Sequence, residues 1–277
     1  MYFCLVKILK KLFYFYIESS THVALAVCGF VGVSVLEFDI PISNELLGFV
    51  FFGTITGYNF VKYAEIAGLK HRSLNLSLRK IQIFSFFCFL ALIYCFFQLP
   101  FKTIIVSGGF AALTFFYAIP FLSYKKLRAL VGMKIIIVAI VWAGVTLIIP
   151  LVNENVVLTN SNWIGFFQRI LFVLVLTLPF EIRDLKHDEL ALGTLPQRVG
   201  MKSTKIIGAL LLLVILIIEY LKQDINWIYT FSLIITCGVM AVFIYLSEKE
   251  QSKYFASFWV ESIPILWLVL IILLKLI

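Results

Sequence analysis

Apolar runs, each near twenty residues long, follow one another along almost the whole chain and are separated by short polar, mostly basic segments. They fall at about 20–38, 43–61, 81–99, 103–122, 134–152, 163–182, 204–221, 226–246 and 255–274. About 20 apolar residues in an α-helix cross the ~30 Å hydrocarbon core of a bilayer. Lipid offers no partner to backbone N–H and C=O groups, so a continuous apolar run there is predicted to be a helix. The pattern predicts an all-α integral membrane protein of about nine transmembrane helices. The first sixteen residues read differently: Lys7, Lys10 and Lys11 are mixed with Phe, Tyr and Leu, and no small-residue cleavage site precedes the next run. Residues 1–19 are therefore read as an interfacial helix rather than a signal peptide, and 20–277 as one transmembrane domain.

Charge orients the spans. With the N-terminus placed on the cytoplasmic side, 19 of the 23 Lys and Arg residues fall on that side, and only Lys102, Arg169, Lys222 and Lys275 fall on the other. This is a strong positive-inside bias, and a missed span would scramble it. The long polar loops after the second, fourth and sixth runs share the basic side, so polar chemistry is expected at the cytoplasmic mouth of the bundle, in a multi-pass protein of bacterial inner-membrane type.

Composition closes off other classes. The chain is 62% hydrophobic and 14% charged, whereas soluble domains carry roughly 25% charged residues. The net charge of +8 resides in short loops between spans, which argues against a nucleic-acid partner. Cys4, Cys28, Cys88, Cys95 and Cys237 are isolated, with no CxxC spacing, and read as small buried hydrophobes.

One segment carries chemistry: Glu181-Ile182-Arg183-Asp184-Leu185-Lys186-His187-Asp188, followed by Gly193-Thr194-Leu195-Pro196 and Gly200. Glu181, Asp184 and Asp188 stand at i, i+3 and i+7, so a continuing helix places all three within about 60° of one another. Clustered carboxylates at a membrane boundary are costly unless a cation neutralises them. Mg²⁺ suits such a place, because it takes oxygen ligands and often binds one or two carboxylates together with substrate phosphates. The plainer reading is a solvated helix end in which the acids pair with Arg183, Lys186 and His187, each pair contributing ~0.2–0.5 kcal/mol.

This segment closely resembles the second aspartate-rich motif of the UbiA superfamily of membrane prenyltransferases. Glu181 stands at the first acidic position, and Asp184 and Asp188 match the other two. Gly193-Thr194-Leu195-Pro196 matches the downstream segment without its basic residue. The resemblance implies a bundle of two pseudo-repeated four-helix halves plus one helix, with acidic motifs at the cytoplasmic ends of the second and sixth spans. It also implies an isoprenyl diphosphate clamped by Mg²⁺, ionisation of the allylic C–O bond, and capture of the prenyl group by an aromatic or lipid acceptor.

The first motif departs from that pattern. Asn59 matches, but the three aspartate positions hold Phe60, Tyr63 and Ala67. Lys62, about 60° from Asn59 on the helix, is the candidate to replace a lost metal at the diphosphate, since an ammonium binds phosphate as a point charge. From the resemblance, Arg72 of the following basic loop, together with Tyr117 and Lys126 after the fourth span, are further candidate diphosphate contacts. Glu261 is an acid deep in the last span, which marks it as a functional candidate. There is no D-G-x-x-A-R pattern of CDP-alcohol phosphotransferases and no phosphate loop. The alternative is a catalytically degenerate UbiA homologue that binds a lipid diphosphate or serves as a membrane scaffold or transporter.

Overall fold

The computed structural model describes residues 2–69, 76–118, 132–186 and 193–276, with side chains described except at 2–5, 64–69, 76–77, 116–118 and 132–134. The described residues form helices α1 (Tyr2–Glu18), α2 (Thr21–Phe38), α3 (Asn44–Leu69), α4 (Leu76–Phe96), α5 (Phe101–Ala118) and α6 (Gly132–Ala143). A π-helical turn over Gly144–Ile148 joins α6 to α7 (Ile149–Asn153). Then come α8 (Asn160–Asp184), α9 (Leu195–Glu219), α10 (Trp227–Leu246), a π-helical turn over Phe255–Val260, and α11 (Ile263–Leu276). Every predicted apolar run coincides with a helix, and no strand occurs among the described residues. Among the described residues seven helical segments are long and apolar enough to cross a membrane: 21–38, 78–96, 135–153, 160–184, 195–219, 227–246 and 255–276. The runs at 43–61 and 103–122 fall on α3 and α5, whose described apolar stretch Phe101–Phe115 is shorter than a full span.

α2 and α8 form the middle of the bundle. α2 packs against α3, α11 and the first π-turn, while α8 packs against α6 and α9. Within their apolar windows 61% of α2 is buried but only 17% of α4, so α4 lies at the rim and turns Phe86 and Phe87 outward. Glycine brings α2 and α11 together: a Cβ on Gly29 would stand 3.1 Å from the backbone of Pro264 and Ile265. Beside this crossing Phe30, Phe172 and Trp267 pack as a fully buried aromatic cluster, with ring centroids 5.2–6.1 Å apart. Trp267 Nε1 donates to Ser232 Oγ at 2.9 Å, so even the indole N–H is satisfied.

Two of the cations counted on the outer side are buried within the bundle. Arg169 is on α8 and 2% exposed, and Lys222, just after α9, is 6% exposed. Lys222 Nζ stands 2.6 Å from Glu37 Oε1 and 2.7 Å from Glu219 Oε2. Arg169 donates to Phe30 O at 3.0 Å and Ser34 Oγ at 3.2 Å, lies 3.9 Å from Glu37 Oε2, and covers the faces of Phe30 and Trp267. Glu219 also accepts from Gln168 Nε2 and Thr230 Oγ1, both at 2.9 Å. Two cations and two carboxylates thus form a closed, neutral cluster, which is how charge persists inside a membrane protein.

Candidate functional site

The C-terminal turn of α8 carries the motif acids. α8 ends at Asp184, with Leu185 as its C-cap, so only Glu181 and Asp184 share a face of this helix. The predicted helical continuation to Asp188 is not found, and Asp188 itself lies outside the described residues. After the break, Gly193 adopts φ +58° and Thr194 caps α9, its N–H donating to Gln197 Oε1 at 3.0 Å. Pro196 sits in the first turn of α9, where a missing N–H is harmless. At Gly200, φ +83° and ψ 159° interrupt α9, a conformation open to glycine and strained for other residues. Gly193 and Pro196 thus serve the start of α9, and Gly200 the kink within it.

A cavity of about 440 Å³ opens beside this turn, lined by Arg183, Asp184, Lys186, Lys249, Gln251 and Lys253. Gln251 pins the 247–254 loop over α8: its Nε2 donates to Pro179 O at 3.0 Å, and its Oε1 accepts from Glu248 N at 3.3 Å. Lys186 reaches Glu250 across the same gap at 3.4 Å. Asp184 is held by Arg183, whose Nε donates to Asp184 Oδ1 at 2.7 Å, and both side chains remain partly exposed. Four cationic side chains and one carboxylate line the cavity, a setting for an anionic ligand.

The first-motif positions lie on α3 and are used differently. Asn59 is 4% exposed, and both of its amide hydrogens are committed, to Ser19 O at 3.0 Å and Ser85 Oγ at 2.8 Å. Its Oδ1 accepts from Ser20 Oγ at 2.8 Å. Asn59, predicted to touch the diphosphate, therefore ties the α1–α2 turn and α4 to α3. Lys62 donates to Glu18 Oε2 at 2.7 Å and to Glu18 O at 3.3 Å, and Tyr63 donates to Glu18 O at 2.8 Å. Arg72 and Lys126 lie outside the described residues, as does the side chain of Tyr117.

Two participants escaped the sequence reading. Lys253 lines the cavity and reaches Glu18 Oε1 at 3.1 Å, so Glu18 bridges Lys62 and Lys253. The only available signal was that Glu18 is the sole acid among the first 36 residues. Burial pushes the Glu18 carboxyl up, but hydrogen bonds and charge from Lys62 and Lys253 outweigh it and hold it below the ordinary carboxylate range. For Lys253 burial acts downward, and the contact with Glu18 raises its ammonium above the usual value. Glu261, which follows the second π-turn, lies within electrostatic range of Arg183, Lys62 and Tyr16.

Glu181 and Asp184 stand one helical turn apart at the end of α8, and both are oxygen donors of the kind that Mg²⁺ takes. On α3 the replaced positions Phe60 and Tyr63 offer no carboxylate, and Asn59 is fully engaged. Among the described residues no three carboxylate, histidine or cysteine side chains converge on a metal-binding point.

No protein-family model matches the chain, and no curated protein sequence does. Two solved structures resemble it. The digeranylgeranylglyceryl phosphate synthase structure is 17% identical with a TM-score of 0.56, over 96% of this chain and 97% of that one. A UbiA homologue from Archaeoglobus fulgidus, bound to GPP and Mg²⁺, is 13% identical with a TM-score of 0.51, over 94% of this chain and all of that one. At these identities the likeness concerns the fold, and the chain has the fold of the UbiA superfamily across nearly its whole length.

Proposed function

We propose that the chain is a UbiA-type intramembrane transferase that moves a prenyl group from an isoprenyl diphosphate to an aromatic or lipid acceptor with the help of Mg²⁺. The observation that carries this reading is the cation-lined cavity at the end of α8, beside Glu181 and Asp184, on a UbiA fold. In this reading the chain crosses the membrane nine times, α1 lies in the interface, and the cavity faces the cytoplasm, where the basic residues gather.

The chemistry follows from the lining. Arg183, Lys186, Lys249 and Lys253 attract the diphosphate and stabilise the negative charge that grows on it as the allylic C–O bond breaks. The bonding electrons leave with the diphosphate, the acceptor's nucleophilic pair closes the new bond to the prenyl carbon, and the acceptor releases a proton. Mg²⁺, when held by Glu181 and Asp184 with Asp188 as a further ligand, supplies additional charge neutralisation at the leaving group. Apolar side chains of the bundle receive the prenyl tail.

A second reading has its own support. The α3 positions that should hold metal are occupied by Phe60 and Tyr63, and Tyr63 helps dock α1. This favours a protein that binds a lipid diphosphate without turning it over. Release of inorganic diphosphate from geranylgeranyl diphosphate, measured with a panel of aromatic and lipid-alcohol acceptors, separates the two. Acceptor-dependent release that Asp184→Asn abolishes supports the transferase. Tight binding without release for every acceptor supports the binder.

A further inference from the structure

Lys62 and Lys253 come from distant parts of the chain, the end of α3 and the loop before the second π-turn, yet they grip one carboxylate. Glu18 Oε2 is 2.7 Å from Lys62 Nζ, and Glu18 Oε1 is 3.1 Å from Lys253 Nζ. Lys253 also lines the cavity with Arg183, Lys186 and Lys249, so the gripped position shares one of its two ammonium groups with that cavity. We propose that Lys62 and Lys253 form a second anion subsite, which takes a phosphate oxyanion of the substrate's diphosphate and which the Glu18 carboxylate fills until that ligand arrives. The inference rests on the diphosphate reading of the cavity and assigns the part of the diphosphate that Phe60 and Tyr63 of α3 cannot hold through a metal.

The carboxylate marks the place of an oxyanion between two ammonium groups. Exchanging one anion for the other is easy, because the side chains are 42% (Lys62), 58% (Lys253) and 18% (Glu18) exposed. Exposed ion pairs contribute only ~0.2–1 kcal/mol each. A diphosphate carries more charge than one carboxylate and presents several oxygens, and each ammonium has three donors on a flexible stem. Departure of the Glu18 side chain does not require α1 to undock. The Glu18 carbonyl keeps its own hydrogen bonds from Tyr63 Oη at 2.8 Å and Lys62 Nζ at 3.3 Å. Main chain holds the helix, and the side chain holds the subsite.

The subsite and a purely structural staple predict opposite effects of Glu18→Gln. The full chain in neutral detergent is titrated with inorganic diphosphate and with geranylgeranyl diphosphate at fixed Mg²⁺. Freeing both lysines should tighten binding by about two- to thirtyfold, the worth of two exposed pairs. Lys253→Met should weaken binding in the wild-type background and remove the gain in Glu18→Gln. An unchanged or weaker Kd in a Glu18→Gln protein with wild-type melting behaviour overturns the subsite. If Glu18→Gln does not fold, Lys253→Met decides alone, and unaltered diphosphate binding overturns the subsite. A gain seen with anionic-lipid vesicles but not with inorganic diphosphate assigns the lysines to headgroups and overturns it too. Wild-type protein that binds neither probe removes the diphosphate reading and the subsite together, whereas binding that Glu18→Gln leaves alone removes only the subsite.

Discussion

Lys222→Met removes the one cation that bridges Glu37 and Glu219, about 22 Å back along α8 from Asp184 at the level of Arg169. The side chains of Lys222, Glu37 and Glu219 are 3%, 3% and 1% exposed, so no solvent replaces the lost ammonium. Methionine keeps the length and apolar stem, which makes the packing change small and isolates the charge effect. Breaking a buried pair by deleting one partner costs about 3–5 kcal/mol, because the remaining charge is uncompensated. Glu219 retains hydrogen bonds from Gln168 and Thr230, and Glu37 has Arg169 at 3.9 Å, so the lower end, about 3 kcal/mol, is expected. For a chain of this size that corresponds to a fall in Tm of about 6–12 °C. Thermal unfolding of detergent-solubilised protein, followed by circular dichroism, measures it. Lys222→Met combined with Glu219→Gln leaves Arg169 and Glu37 as a balanced pair and should recover about half of the loss. A single variant that melts within 1 °C of wild type would refute the reasoning, since a buried bridge cannot vanish at no cost.

Other consequences can be checked as directly. Asp184→Asn should weaken Mg²⁺-dependent binding of geranylgeranyl diphosphate about tenfold, or ~1.4 kcal/mol; calorimetric titration giving the wild-type Kd counts against a role for this carboxylate. Gly29→Val forces side-chain atoms into the backbone of Pro264 and Ile265 and should cost about 1–3 kcal/mol, visible as a lower Tm. A wild-type Tm would mean that α2 and α11 are not in such close contact. The docking of α1 should depend on pH in a defined direction. Glu18 has a lowered pKa, so its contribution is complete above the ordinary value of 4.5 and is lost as pH falls through the lower folded value. Lys253 has a raised pKa, so its contribution is complete below 10.5 and is lost as pH climbs through the higher folded value. Amide exchange in residues 6–18, corrected for intrinsic rate, should therefore stay flat between these limits and quicken beyond them; quickening near neutral pH would contradict the pairing.

Helices were legible in the sequence because each span must satisfy its own backbone, so hydropathy and length alone locate them. Partnerships between distant segments were not. Lys222 and Glu37 stand 185 positions apart, and charge counted by loop could only place Lys222 and Arg169 outside. The π-turn at Gly144–Ile148 was equally hidden, since it accompanies Phe110 filling the space that a side chain on Gly144 would need. The acidic pair Glu181 and Asp184 was readable from its spacing. The end of α8 at Asp184 was not, because residues 185–188 contain neither glycine nor proline to announce a stop. Asn59 fits the family pattern by identity, but its hydrogen bonds with Ser19, Ser20 and Ser85 could not be read from the motif. Glu18 bears no motif and became visible only once α1 was folded against α3.

The most direct test of the proposed function is thermal stabilisation of the purified protein by geranylgeranyl diphosphate, with and without Mg²⁺. Ligand at 100 times its Kd adds ~2.7 kcal/mol to the folded state, which is readily seen as a rise in Tm. Tm should rise clearly with ligand, the rise should grow with Mg²⁺, and it should shrink in Asp184→Asn. No shift with any prenyl diphosphate, at any Mg²⁺ concentration, would contradict the proposed function and leave a UbiA fold put to another use.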